Sequence, residues 1–104
     1  MIELTEHGSK TKKFKLGSIC LSRGVFDECN NIAGFYDFVT DSIEKHSLGN
    51  WGDLSEIDKR ENEFSLDKHL RILSAYHSHN SGKKIWVITE ADRSMTTVLF
   101  PEEY

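Results

Sequence analysis

The sequence predicts an α+β domain in which three to four antiparallel strands form a meander sheet and two to three helices pack on one face. Apolar residues between positions 32 and 43 recur with the period of a helix, whereas from position 71 onwards they alternate with the period of a strand. Polar turns at 80–83 and 91–94 separate three apolar runs, as in consecutive hairpins. Helices followed by strands are typical of the α+β class.

The N-terminal part is predicted to be a flexible leader followed by the start of the domain. Residues 1–13 are polar and lack an apolar period of either kind, so we place the single α+β domain at 14–104. The apolar residues of 14–21 suit a strand. Ser22 can then cap a short helix over 23–30.

Two longer helices are predicted next. The first rests on a helical spacing of five apolar residues, Ile32, Phe35, Tyr36, Val39 and Ile43. It ends at Leu48–Asn50. The second begins with Ser55 as its cap and Asp58 three residues on, an acidic variant of the capping box. Ile57, Phe64 and Leu66 are expected to anchor this helix in the core.

Composition excludes several classes of protein. With 104 residues and a net charge of −4, the chain fits one domain and lacks the overall basic charge of a nucleic-acid binder. The basic run Lys10–Lys15 is the only feature that favours nucleic acid. No apolar run approaches the roughly 20 residues of a membrane span. Cys20 and Cys29 form no redox or zinc motif, which indicates a reducing, cytoplasmic location.

The turn Thr89–Ser94 is the densest polar segment and allows two interpretations. In one, Glu90 and Asp92 share an acid–base site and Arg93 orients an anionic substrate. In the other, Asp92 forms an Asx-type bond, Arg93 pairs with an acidic neighbour, and the turn fixes the hairpin register. We favour the structural interpretation, since structural networks also carry perturbed charges.

Aromatic and histidine residues are the remaining candidates. Trp51, followed by Asp53, and Trp86 could belong to a partner surface, because aromatics are enriched at binding hot spots, although a core role is favoured for each. His77 and His79 alternate on a strand and could chelate a metal with a third histidine, His46 or His69. No zinc-type spacing accompanies them, so we predict neither a metal nor a cofactor. Phosphate-binding glycine loops and nucleophile elbows are also missing from the sequence.

Four blocks of the chain resemble a family of small uncharacterised bacterial proteins that are often labelled hypothetical or plasmid-related. The blocks are residues 49–54 (GNWGDL), 71–76 (RILSAY), 85–94 (IWVITEADRS) and 96–104 (TTVLFPEEY). The similarity runs from about Phe14 and departs at Ser22–Phe26, where the family typically has Thr-Pro-Gly-Ala-Leu. Some members carry a restriction-modification label, but Pro101 is the only proline here, so the Pro-Pro motif of methyltransferases is missing. The resemblance implies a bacterial cytosolic protein of mobile DNA.

We therefore expect a non-enzymatic protein-interaction module or modulator, associated with plasmid or mobile DNA and present as a monomer or homodimer. The partner would be an unknown protein. A small enzyme or ligand-binding protein using the 89–94 turn is the alternative. The predicted functional surface comprises Trp51, Asp53, Trp86, Glu90, Asp92, Arg93, Thr96, Glu102 and Tyr104.

Overall fold

The computed structural model describes residues 2–4 and 12–104 and confirms the α+β class. Of the predicted leader, residues 1 and 5–11 lie outside the described part. The helices are α1 (Arg23–Asn31), α2 (Phe35–Ser47) and α3 (Glu56–Lys68). The strands are β1 (Ile2–Leu4), β2 (Ser18–Leu21), β3 (Ile72–His77), β4 (Lys84–Thr89) and β5 (Met95–Leu99), and a 3₁₀ turn follows at Pro101–Glu103.

The sheet of these residues is mixed, so the prediction of a purely antiparallel meander is wrong. Its order is β1-β2-β5-β4-β3. The last three strands form the predicted meander, but β2 pairs in parallel with β5, with Leu21 opposite Val98. Hairpin turns determine only the relation among β3, β4 and β5. The three helices between β2 and β3 form a connection long enough to allow a parallel partner. The short strand β1, within the predicted leader, adds antiparallel to β2.

The hydrophobic core lies between one face of the sheet and helices α1 and α2. Alternate strand residues point into it because successive side chains of a strand face opposite sides. The sheet contributes Ile19, Leu21, Ile85, Val87 and Val98, and the helices contribute Val25, Phe35, Val39 and Ile43. Burying each such side chain contributes about 1.5–3 kcal/mol. The predicted helix caps are confirmed: the Ser22 hydroxyl accepts from Val25 N–H, and the Ser55 hydroxyl accepts from Asp58 N–H.

Helix α3 lies beside the outer edge of β3, whereas we expected all helices on one face. The Asn62 side chain donates to Leu73 O at 2.7 Å and accepts from Leu73 N–H at 3.2 Å. The amide thus takes the place of a neighbouring strand. Because Asn62 and Ser65 are the buried residues of this helix, Ile57 and Phe64 face solvent, 66% and 54% exposed. The prediction that these two anchor the core is wrong.

Candidate functional site

The turn between β4 and β5 is held by local bonds. Ser94 donates its hydroxyl and its backbone N–H to Asp92 Oδ1, at 2.6 and 3.0 Å. These bonds, the hydroxyl bond first, hold the pKa of Asp92 below its ordinary value because they stabilise the carboxylate. The Asx-type bond of the structural interpretation is therefore present.

The Arg93 guanidinium contacts carbonyl oxygens at the C-terminal end of α3. Nη1 donates to Leu70 O at 2.7 Å, and Nη2 donates to Ser65 O at 3.0 Å. Nη1 also lies within 3.2 Å of the carbonyl oxygens of Glu90 and Ala91. A cation is favourable here because carbonyl dipoles accumulate at this end of a helix. In the part of the chain that the structure describes, these oxygens take the place of the predicted acidic neighbour.

The three charged side chains of the turn bind three different partners. Glu90 Oε1 lies 3.6 Å from Arg71 Nε, whereas Asp92 binds Ser94 and Arg93 binds the end of α3. A shared acid–base site requires side chains that converge on one substrate position. The side chains instead diverge, and Arg93 hydrogen-bonds the turn to the C-terminal end of α3.

We expect Arg93→Ala to lower the free energy of unfolding by about 2 kcal/mol, because it removes charge-assisted hydrogen bonds to two segments. Asp92→Asn is the matched variant, since its amide oxygen can accept the same two bonds, and we expect its melting curve to stay near that of the wild type. Urea unfolding of both checks this. Equal losses in the two variants would contradict the role assigned to the guanidinium.

Thr96 lies in a buried polar network, not on the surface where it was predicted. Its hydroxyl donates to Leu16 O at 2.7 Å and must therefore accept from the Thr89 hydroxyl, also at 2.7 Å. Thr89 in turn accepts from His46 Nε2 at 2.9 Å, and Ser74 donates to His46 Nδ1 at 2.5 Å. When the imidazole is neutral, hydrogen bonds can therefore run in one direction from Ser74 through His46, Thr89 and Thr96 to Leu16 O, and each side chain both donates and accepts where it must.

The surroundings of His46 oppose its protonation. Its side chain is fully buried, and the ring packs edge-on against Phe14 and Trp51 at 5.2 and 6.0 Å. Burial, and to a smaller extent the charge of Arg93, lowers the pKa of His46 to about 3. This histidine acts as a neutral structural group, and sequence reasoning had considered it only as a metal ligand.

Trp51 is a core residue that fastens a loop to the outer edge of β3. Its indole is 4% exposed, donates to Glu63 Oε2 at 2.8 Å and stacks on Phe14 at 6.2 Å. Trp51 O accepts from Ala75 N–H, and Asp53 N–H donates to Ala75 O at 2.7 Å. Together with the Asn62 amide, this loop covers backbone groups at the strand edge, as folded proteins generally do.

The Asp53 side chain forms a second polar cluster at the end of β3. Its Oδ2 lies 2.5 Å from His77 Nδ1, and the rings of His77 and His79 meet edge-on at 4.8 Å. These three residues border a cleft of about 220 Å³, together with Phe38, Ser42, Lys45, Asn50, Gly52 and Tyr76. Among the described residues no three His, Cys, Asp or Glu side chains are placed to hold a metal ion. His46, one of the predicted third ligands, has both ring nitrogens hydrogen-bonded within the buried network.

Three predicted residues meet on the sheet face that points away from the core. The Trp86 and Tyr104 rings pack edge-on at 5.6 Å. Arg71 Nη1 donates to the Tyr104 hydroxyl at 2.5 Å, its guanidinium lies 5.8 Å from the Tyr104 ring centroid, and its Nε faces Glu90. The hydrogen bond to Tyr104 and the charge of Glu90, in that order, raise the pKa of Arg71. We call Arg71, Trp86, Glu90 and Tyr104 the aromatic cluster.

The acidic residues that precede Tyr104 differ in role. Glu103 accepts from the Ser22 hydroxyl at 2.6 Å, from Gly24 N–H at 3.1 Å and from Phe100 N–H at 2.7 Å. It therefore joins the start of α1 to the end of the chain. Glu102 is exposed. No local pattern could have paired Ser22 with a residue 81 positions away.

The structure thus divides the nine predicted residues among separate places. Trp51 and Thr96 are buried on the helix side of the sheet, whereas Trp86 lies on the other side. Asp53 borders the cleft, and Asp92 and Arg93 hold the turn. The aromatic cluster unites Trp86, Glu90 and Tyr104, with exposed Glu102 two residues from Tyr104 along the chain. Arg71, which connects them, was not predicted as a site residue.

Comparisons with protein-family models, curated proteins and solved structures gave no match. Within residues 2–4 and 12–104, none of the helices has the length and apolar character needed to cross a membrane.

Proposed function

We propose that this protein is a non-enzymatic interaction module that binds a protein partner through the aromatic cluster. The observation that carries the proposal is the contact of Tyr104 with both Trp86 and Arg71 on the sheet face that points away from the core, with Tyr104 67% exposed. Trp, Tyr and Arg are the residue types enriched at binding hot spots.

The cluster is also ordered before any partner arrives. Arg71 contacts both the Tyr104 hydroxyl and its ring, and Tyr104 N–H donates to Pro101 O at 3.1 Å. Glu103 fastens the same segment to α1. Binding to side chains that are already ordered loses less conformational entropy, which favours affinity.

The charges near the cluster favour a basic partner surface. The cluster itself contains Glu90, exposed Glu102 lies two residues from Tyr104 along the chain, and the whole chain carries a net charge of −4. Complementary charge mainly raises the association rate and selects the partner. The family resemblance suggests a protein that handles plasmid or other mobile DNA, with this chain as its acidic modulator.

The enzymatic alternative has weaker support. Glu90, Asp92 and Arg93 each bind a different group, so the turn offers no convergent acid, base and anion-binding site. The interaction module needs only an exposed, ordered surface, which the aromatic cluster provides.

A site-specific crosslinking experiment tests the proposal. A photo-crosslinking amino acid replaces exposed Glu102, which leaves the cluster intact, and a control replaces Tyr36, an exposed tyrosine of α2. In bacterial lysate we expect a defined protein adduct from position 102 and none from position 36. Adding Tyr104→Ala should reduce the adduct at least about tenfold, because a hot-spot truncation costs about 2 kcal/mol or more.

Charge reversal at Glu102 tests the binding surface, whereas charge reversal at Glu103 does not. Glu103→Lys would break the bonds to Ser22, Gly24 and Phe100 and disturb the fold itself. Glu102→Lys should leave the melting temperature unchanged and weaken capture of the partner. An adduct from position 102 that is insensitive to Tyr104→Ala, together with partner capture that Glu102→Lys leaves unchanged, would refute the assigned surface.

A further inference from the structure

Helix α3 exposes two large apolar side chains, Ile57 and Phe64, to solvent, and neither belongs to the aromatic cluster. Ile57 and Phe64 are seven residues apart, so they lie on the same side of the helix, two turns from each other. They are 66% and 54% exposed, whereas Asn62 and Ser65 are buried. A helix with its polar residues inward and large apolar residues outward is the reverse of the usual surface helix.

The charges between Ile57 and Phe64 make this stripe complementary to itself. Arg60 and Glu61 are the two central residues of the interval and are both exposed. A twofold axis passing between them would pair antiparallel copies of α3. Each Ile57 would then face Phe64 of the other copy, and each Arg60 would face the other Glu61. An isologous contact requires this kind of reciprocal pairing.

We propose that a second copy of this chain covers the outer face of α3 and forms an antiparallel helix pair. Ile57 and Phe64 each stand about 5 Å from the axis along the helix, within reach of their counterparts in helices that pack 8–10 Å apart, by general helix geometry. The two ion pairs set the register and direction of the contact. A dimer could instead form by pairing the outer edges of two β3 strands. At Leu73 and Ala75 this is blocked, because Asn62 already binds the backbone of Leu73 and the 51–53 loop already binds that of Ala75.

The contact is small, so the dimer is weak. A helix of 13 residues is about 20 Å long and presents less area than a standard interface, which buries about 1,600 Å² in total. We expect a dissociation constant in the micromolar range. Sedimentation equilibrium of the full chain over micromolar to millimolar concentrations should therefore show the mass rise from one chain to two. Phe64→Ser should hold the protein at one chain throughout.

Charge reversal tests the register. Arg60→Glu would place like charges opposite each other twice, and so would Glu61→Arg, so each variant alone should weaken dimerisation at least about tenfold. The double variant Arg60→Glu/Glu61→Arg restores both pairs and should restore dimerisation. An equimolar mixture of the two single variants should also dimerise, because each chain then meets the opposite charge.

Two results would overturn the proposal. One is a wild-type chain that stays monomeric up to millimolar concentration. The other is a dimer whose affinity ignores the reversals at 60 and 61, which would mean that another surface forms it. All these variants change exposed side chains, and unchanged melting temperatures would verify that each still folds. Neither result bears on the aromatic cluster, whose test uses a different partner and different positions.

Discussion

Acidification from neutral pH to below about 3 is expected to remove about 5 kcal/mol of folding stability through His46 alone. The pKa of this side chain falls from 6.5, the ordinary value, to about 3 in the folded protein. Each unit of difference corresponds to about 1.4 kcal/mol. A domain of this size is stable by only about 5–15 kcal/mol, so the effect can unfold it.

The sign follows from which state binds the proton. Between pH 6.5 and 3 the unfolded chain protonates His46, whereas the folded chain keeps it neutral to preserve its bonds with Ser74 and Thr89. The stabilisation is fully present above pH 6.5, declines as the pH falls, and is lost at about pH 3. In this window the unfolding free energy should change by up to about 1.4 kcal/mol per pH unit because of this group.

The variant His46→Gln isolates the contribution of His46 protonation to the acid-induced loss of stability. A glutamine can donate to Thr89 and accept from Ser74, but it does not titrate. Urea unfolding at several pH values should show a smaller acid loss for the variant than for the wild type, with the difference growing below pH 6.5. The carboxylates titrate in both proteins and cancel in that difference. Parallel curves for the two proteins would show that His46 does not control acid stability.

Local patterns predicted the elements that depend on local chemistry. The caps at Ser22 and Ser55 follow from hydroxyl side chains before helical runs, and the β3–β4–β5 meander follows from two polar turns between alternating apolar runs. The parallel pairing of β2 with β5 depends on how distant elements pack. No local signal encodes that arrangement.

The periodicity of α3 misled the prediction for a physical reason. Ile57 and Phe64 carry the expected apolar spacing, but Asn62 can bind both backbone groups of Leu73. Those groups would otherwise be unpaired at a strand edge, and an unpaired buried polar group costs about 1–3 kcal/mol. Hydrogen bonding to the outer edge of β3 therefore turns the polar side of α3 towards the sheet. Aromatic residues at the candidate surface were recognised by type, whereas the contacts through which Arg71 joins Glu90 to Tyr104 required the sheet register.

Gly52→Ala is expected to lower the unfolding free energy by about 3 kcal/mol or more. Gly52 has a φ of +75°, and a Cβ there would stand 2.0 Å from Ala75 O and 2.7 Å from Tyr76 Cδ1. The left-handed backbone costs an alanine about 1–2 kcal/mol. The overlap with a backbone oxygen adds to this cost, because it must displace the bond from Asp53 N–H to Ala75 O.

Gly82→Ala separates the two costs. Gly82 has a φ of +72°, almost that of Gly52, but a Cβ there meets nothing within 4 Å. It should therefore lose only the conformational part, about 1–2 kcal/mol. Urea unfolding of both variants gives the cost of the overlap as the difference between them. Equal losses would mean that the 51–53 loop can move away from β3 freely, and Trp51 would then be held by its side-chain contacts with Glu63, Phe14 and His46 and not by its backbone bond to Ala75.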